Sequence, residues 1–151
     1  MMYPVHEAIE NLSGLGGIGL YGVVMMIALI LGDYSLLLRL LITLVVLYAV
    51  TVIIRSLYFK ERPEKRKYNN AIGKIDASSF PSLHSARALA LAVIIGISLQ
   101  NIILLAFLLF SALVVAATRV LLKKHDIIDI LGGAIMGVIF GLLTFLLHFA
   151  F

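Results

Sequence analysis

Long apolar runs alternate with short polar breaks along this chain. The first run, approximately Gly14–Gly32, reads GLGGIGLYGVVMMIALILG and holds no charge. Asp33-Tyr34-Ser35 makes a turn, and a second run follows over approximately Ser35–Ile54, with Arg39 near its start. From Ala88 to Thr118 no residue is charged. At ~1.5 Å per residue, that stretch as one helix would overreach a hydrocarbon core of ~30 Å. Its only polar interruption is Ser98-Leu99-Gln100-Asn101, so the pattern predicts two short helices, about Ser82–Leu99 and about Ile102–Thr118. A fifth run covers approximately Ile127–Phe151, with His148 at its far end and away from any candidate chemistry. The predicted fold is all-α: a polytopic membrane helix bundle with about five transmembrane helices. One domain is expected over residues 1–151. Residues 3–12 add a short interfacial helix whose His6 and Glu10, four apart, read as a solvated face.

Between the second and third runs lies a polar stretch, residues 55–81, with no segment long enough to span. Loops this long in compact proteins are often lids or binding segments; the alternative is a disordered basic tether at anionic headgroups. Within it, Tyr68-Asn69-Asn70 either lines the mouth of a site or makes a plain turn. Two glycine series stand out. Gly16, Gly19 and Gly22 recur every three residues and favour close helix contact. Gly133, Gly137 and Gly141 recur every four, in register with His125 and Asp129. That stripe reads as a packing seam, or else as a slot for an acyl or isoprenyl tail, and the glycines allow a homo-oligomer.

Composition agrees with the pattern. The chain has 151 residues, 62% of them hydrophobic and 13% charged. Ordinary soluble domains are about 45–50% apolar, so this is an integral membrane protein, with a cell-membrane location expected. There is no cysteine, which excludes disulfides, zinc–thiolate sites and thiol nucleophiles. The eight acidic residues are scattered, which argues against a two-metal hydrolase. No metal, no cofactor and no nucleic-acid partner is expected. Met1 to Leu15 carries Glu7 and Glu10 but no Lys or Arg, so no cleavable signal peptide is expected. The net charge of +4 suits anionic lipid or a phosphate-bearing substrate.

An odd number of spans puts residues 55–81 and 119–126 on the same face. Every Lys and Arg except Arg39 lies in or beside those loops. By the positive-inside rule that face is cytoplasmic, but arginines placed for phosphate are poor reporters, so the orientation stays open. Three sets of residues converge there: Arg55 with Arg62-Pro63; Pro81-Ser82-Leu83-His84-Ser85; and Thr118-Arg119 with His125 and Asp129. Guanidinium groups grip a phosphoryl group through paired N–H donors. Ser82 brings a hydroxyl, and the helix start beside it brings unpaired backbone N–H groups. On a helix, Asp129 would share a face with His125, accept its ring N–H, fix its tautomer and leave the other nitrogen free to attack or to take a proton. The bland alternative is a pair of polar residues at a membrane surface. Arg39 and Arg87 read as snorkelling side chains; the alternative for Arg87, one turn beyond His84, is reaching a second phosphate. Lys123 and Lys124 read as a solvated basic patch or a headgroup attractor.

These three motifs resemble the signatures of the phosphatidic acid phosphatase type 2 superfamily, the membrane histidine phosphatases. Those signatures, Lys-x6-Arg-Pro, Pro-Ser-Gly-His and Ser-Arg-x5-His-x3-Asp, stand here as Arg55-x6-Arg62-Pro63, Pro81-Ser82-Leu83-His84 and Thr118-Arg119-x5-His125-x3-Asp129. The resemblance covers about half the chain, from Arg55 to Asp129. It implies that Arg55, Arg62, Ser82, the Leu83 N–H and Arg119 hold a phosphate. His125 would attack phosphorus, Asp129 would orient it, and His84 would protonate the leaving oxygen and later activate water. Lys is replaced by Arg55, Ser by Thr118, and Gly by Leu83, the last being costly if the backbone there has positive φ. Family members commonly have six spans, one more than predicted here. The implied activity is a metal-independent lipid phosphate or lipid pyrophosphate phosphatase. Candidate substrates are phosphatidate, phosphatidylglycerophosphate and isoprenyl pyrophosphates such as undecaprenyl or dolichyl pyrophosphate. A phosphotransferase of the same fold and a non-catalytic anionic-lipid-binding protein remain as alternatives.

Overall fold

A computed structural model describes residues 3–147 of the chain, with side chains from residue 6 onward. His148 and the end of the fifth apolar run lie outside the described residues. The order is α1 (Tyr3–Gly14), α2 (Ile18–Ile30), α3 (Tyr34–Leu57), α4 (Ala71–Ala77), α5 (Leu83–Ser98), α6 (Ile102–Leu121) and α7 (Ile127–Leu143), closed by a 3-10 turn at Thr144–Leu146. Among the described residues there is no strand. Four helical stretches are long and apolar enough to cross a membrane: His6–Ile30, Tyr34–Leu57, Ile102–Leu121 and Ile127–Leu146; α5 is a shorter apolar helix.

The bundle is built around α5, which packs against α2, α3, α6 and α7. Its residues Ser85–Ile94 are all buried. A helix of 16 residues is ~24 Å long, less than a ~30 Å hydrocarbon core. It needs no greater length because protein, not lipid, surrounds it. Small residues make that possible: Ala86, Ala88, Ala90 and Ala92 let neighbours approach. The closest neighbour is α7. Gly133 lies against the Ser82 carbonyl, Gly137 against the Ala86 carbonyl and Gly141 against Val93 and Ala90. This stripe is therefore a packing seam filled by α5, which overturns its reading as a slot for a lipid tail. The first glycine series divides: Gly16 lies against Val115 and His84, whereas Gly19 and Gly22 face open space.

Helix ends are set by local chemistry. Gly32, with φ +71, follows α2. Its N–H donates to the Leu29 carbonyl at 3.1 Å and the Asp33 N–H to the Ala28 carbonyl at 2.9 Å, the Schellman pattern that satisfies orphan carbonyls. Asp33 then caps α3, accepting the Leu36 N–H at 2.9 Å. The first of these four stretches, His6–Ile30, is two helices, in keeping with the separate interfacial helix and first run of the sequence pattern. The chain breaks at residues 15–17, and α1 turns to lie along α6. The buried Tyr21 hydroxyl is paired, as an apolar surround favours: its Oη donates to the Leu40 carbonyl at 3.0 Å. Arg39 is held by the chain just after α7. Its Nη1 donates to the Thr144 carbonyl, and its guanidinium stands 4.4 Å from the Phe145 ring centroid.

Candidate active site

The polar stretch 55–81 is folded back on the bundle, so the disordered-tether alternative does not hold. It contains α4, capped by Asn70, whose side chain accepts the Gly73 N–H at 2.7 Å. Tyr68-Asn69-Asn70 is accordingly a turn, with Tyr68 edge-on to Phe59. The Ser79 N–H donates to the Lys60 carbonyl at 2.8 Å, and the Glu64 N–H to the Lys123 carbonyl at 3.0 Å. These ties bring the polar stretch against the α6–α7 turn.

The phosphate-type donors come from three elements. Arg55, in the last turn of α3, donates from Nη2 to the Pro81 carbonyl at 2.9 Å and from Nη1 to the Ile75 carbonyl at 3.4 Å. Arg62 donates from Nη2 to the Asp76 carbonyl at 2.8 Å. Arg119, in the last turn of α6, donates from Nη1 to Ser13 Oγ of α1 at 2.6 Å. In all three the Nε is buried and has no partner. Carbonyls and a hydroxyl thus hold these cations in place without neutralising them. Thr118 points elsewhere: its hydroxyl donates to the Val115 carbonyl at 2.6 Å, inside α6.

The end of α6 delivers His125. The Lys123 N–H donates to the Val120 carbonyl at 2.8 Å, and the Lys124 N–H to the Arg119 carbonyl at 3.0 Å, with Lys123 at φ +54. The His125 N–H reaches the same Arg119 carbonyl at 3.2 Å. One carbonyl therefore couples the placement of His125 to that of Arg119. His125 is not on a helix, as its four-residue spacing from Asp129 suggested, but two residues before α7. The turn nonetheless brings its Nδ1 to 3.6 Å from Asp129 Oδ2, too long for a hydrogen bond. That Nδ1 is buried and unpartnered. Asp129 is fully buried. Its Oδ2 accepts the Asp126 N–H at 2.9 Å and its Oδ1 lies 2.7 Å from Lys60 Nζ. Lys60 also stands 3.2 Å from Asp126.

On the third element, Ser82 caps α5. Its Oγ accepts from the Ser85 hydroxyl at 3.0 Å, and its N–H donates to the Asp129 carbonyl at 2.9 Å. Leu83 is the first residue of α5. Positive φ occurs in non-glycine residues only at Gln100 and Lys123 among the described residues, so Leu83 carries no backbone penalty. His84 follows it.

Arg55, Arg62, Leu83, His84, Arg119 and His125 line one cavity of about 270 Å³, together with Tyr48, Arg66, Asp76 and Arg87. Ser82 and Asp129 stand behind it, fully buried. A larger rim cleft of about 520 Å³ runs past His6, Glu10 and Lys123 and includes none of the nominated residues; Glu10 there lies 4.0 Å from Lys124. Burial, and then the Arg62 and Arg119 charges, push the His125 imidazole down to about 3, with Asp129 opposing them. Burial also lowers Arg62. Burial works against the Lys60 ammonium too, but its hydrogen bonds to Asp129 and Asp126 raise it.

Four contributors carry no signal in the motifs. Lys60 and Ser13 pair with Asp129 and Arg119 from distant stretches. Tyr48 lies seven residues before Arg55, two turns along one face of α3, a spacing that could have found it. Arg87, read as snorkelling or else as reaching a second phosphate, is buried at 4% exposure and lines the cavity.

The profile of one protein family, the PAP2 superfamily, matches residues 36–151. No curated protein and no solved structure matches the chain.

Proposed function

The chain belongs to the PAP2 superfamily, whose members are phosphatases, and on that premise we propose that it hydrolyses lipid phosphates or lipid pyrophosphates through a phosphohistidine. The observation that carries this reading is the shared cavity. Two histidines and three guanidiniums with unpartnered Nε groups line one space inside an apolar bundle.

In this reading Arg55, Arg62 and Arg119 hold the phosphoryl oxygens, helped by the Leu83 N–H at the start of α5. Ser82 sets that helix start. His125, kept neutral, has a lone pair for phosphorus. With Nδ1 turned toward Asp129, Nε2 is its attacking nitrogen. Asp129 stabilises the imidazolium that develops. His84 protonates the leaving oxygen and then takes the proton of the water that clears the intermediate. The arginines stabilise charge spread over the equatorial oxygens. An apolar crevice of about 250 Å³ between α2, α5 and α6 suits the lipid tail. Its upper lining includes Leu15 and Val115, the latter one turn before Arg119. Phosphatidate, phosphatidylglycerophosphate and isoprenyl pyrophosphates all fit this description, in a cell membrane.

The test is phosphate release from a panel of these lipids in detergent with EDTA present. Release by the wild type and its loss in His125→Ala support the proposal. Binding without turnover would instead indicate an anionic-lipid-binding protein, and full activity in His125→Ala would refute the mechanism.

A further inference from the structure

The cavity extends past His84 to a further cation. Arg87 lies three residues after His84, so the two share a face of α5. That helix runs into the bundle from its start at Leu83, which places Arg87 ~4.5 Å deeper than His84. Arg87 donates from Nε and Nη2 to the Gly16 carbonyl at 3.2 and 3.1 Å, and from Nη1 to Tyr48 Oη at 2.7 Å. Its guanidinium carbon stands 5.8 Å from the Tyr48 ring centroid. Arginine has five N–H donors, so one on each terminal nitrogen remains for a ligand. Among the described residues no carboxylate pairs with it. A snorkelling side chain would not be tied to a backbone carbonyl and a phenol at the inner end of a polar cavity.

The charge balance points the same way. Five arginines line the cavity against one carboxylate, Asp76. The charge of Asp129 is already met by Lys60, and His125 is held neutral. A phosphate monoester brings about two negative charges at neutral pH, and a diphosphate monoester about three. The second ligand leaves less cationic charge buried and unpaired.

We propose that Arg87 and Tyr48 form the subsite for the inner phosphate of a lipid diphosphate. This rests on the phosphatase reading above and narrows its substrate. The lipid tail must enter from the bilayer, so the inner phosphate is the deeper of the two and meets Arg87. The outer phosphate meets Arg55, Arg62 and Arg119. His125 Nε2 bonds to the outer phosphorus as the bond from that phosphorus to the bridging oxygen breaks. The electron pair stays on the bridging oxygen, which takes a proton from His84. The departing lipid monophosphate is stabilised by Arg87 as its charge develops. Water then attacks the phosphohistidine, giving its proton to His84, and the N–P bond breaks to release inorganic phosphate.

The experiment uses the full chain in detergent and two substrates with the same prenyl tail, one a monophosphate and one a diphosphate. The values of kcat/KM are compared for wild type, Arg87→Gln and Tyr48→Phe. The expected result is a wild-type preference for the diphosphate. Both variants should lose roughly tenfold or more of that preference, the scale of a hydrogen bond to a charged group, while monophosphate turnover falls less. Equal losses on both substrates would mean that Arg87 only anchors Gly16, and would overturn the subsite while leaving the phosphatase reading intact. If Arg87→Gln does not fold, Tyr48→Phe decides alone: an unchanged ratio in it also overturns the subsite. If wild type hydrolyses neither substrate, both readings fail together.

Discussion

Lys60 Nζ stands 2.7 Å from Asp129 Oδ1, closer than the 3.6 Å that separates His125 Nδ1 from Oδ2 of the same carboxylate. The carboxylate is therefore shared between a fixed cation and a ring that is not yet bonded to it. Lys60 both holds Asp129 in place and withdraws part of its charge from His125. Removing the ammonium acts on both. For Lys60→Met the expected result is a kcat reduced by roughly 10-fold to 100-fold, since a hydrogen bond to a charged group is worth ~1.5–3 kcal/mol. The acid limb of kcat/KM should move to higher pH, because an unshared carboxylate stabilises the imidazolium more. Rate profiles against pH check both. A lower kcat with an unmoved acid limb would assign Lys60 a purely structural part.

The arginines are held by neutral partners, and their loss should appear in transition-state stabilisation. Arg62→Ala and Arg119→Ala are each expected to lower kcat/KM by roughly 10²–10³, the cost of removing one preorganised donor. Arg119→Lys should rescue little, because an ammonium cannot reproduce the planar fork. Ser13→Ala leaves the guanidinium in place but frees one tie at 2.6 Å. A few-fold loss is expected there, carried mainly by KM. Steady-state kinetics on one lipid substrate separate these cases, and an inert Arg119→Ala would remove it from the site.

Much of this architecture is legible in the apolar pattern, and the reasons for the exceptions are physical. Apolar runs of span length placed α3, α5 and α6 to within a few residues and the start of α7 at Ile127, because a hydrocarbon surround leaves the backbone little choice but helix; α7 itself ends at Leu143, short of the end of its run. The turn at residues 15–17 falls a few residues past the expected junction between the helix at 3–12 and the run from Gly14, since three apolar or small residues carry no hydropathy signal. Whether a glycine faces protein or lipid is equally invisible in composition: Gly137 and Gly22 have the same local pattern, yet only the first meets a neighbour. Spacing brought His125 and Asp129 together, although the element between them is a turn and a helix start. The ties made by Lys60, Ser13 and Arg87 join residues 69, 106 and 71 positions apart, and no local pattern reports such pairs.

The neutral state of His125 makes stability depend on pH. In the fold this ring is pushed down to about 3 from its ordinary 6.5, by burial and then by Arg62 and Arg119. Below pH 6.5 the unfolded chain binds a proton there that the folded chain refuses. Full stability is therefore present above pH 6.5 and is lost progressively as pH falls toward 3, by at most ~1.4 kcal/mol per pH unit for one group. The thermal midpoint in detergent should fall between pH 6.5 and 4.5, and His125→Asn should flatten that slope. Parallel slopes in the two proteins would count against a neutral buried imidazole.

Two glycines separate packing from mere composition. A Cβ on Gly137 would run into the carbonyl and backbone of Ala86, whereas one on Gly22 meets nothing within 4 Å. The first lies in the seam that sets the distance between α5 and α7, and α5 carries Ser82, Leu83 and His84 at its start. Gly137→Ala is expected to cost ~1–3 kcal/mol through overpacking, and to lower phosphate release by moving His84 relative to His125. Gly22→Ala should leave activity unchanged and stabilise by up to ~1 kcal/mol, the usual advantage of alanine over glycine inside a helix. Thermal midpoints and turnover of both variants in one detergent decide the matter. If Gly22→Ala proves the more damaging, α2 has a partner on that face and the seam against α5 is not what orders the site.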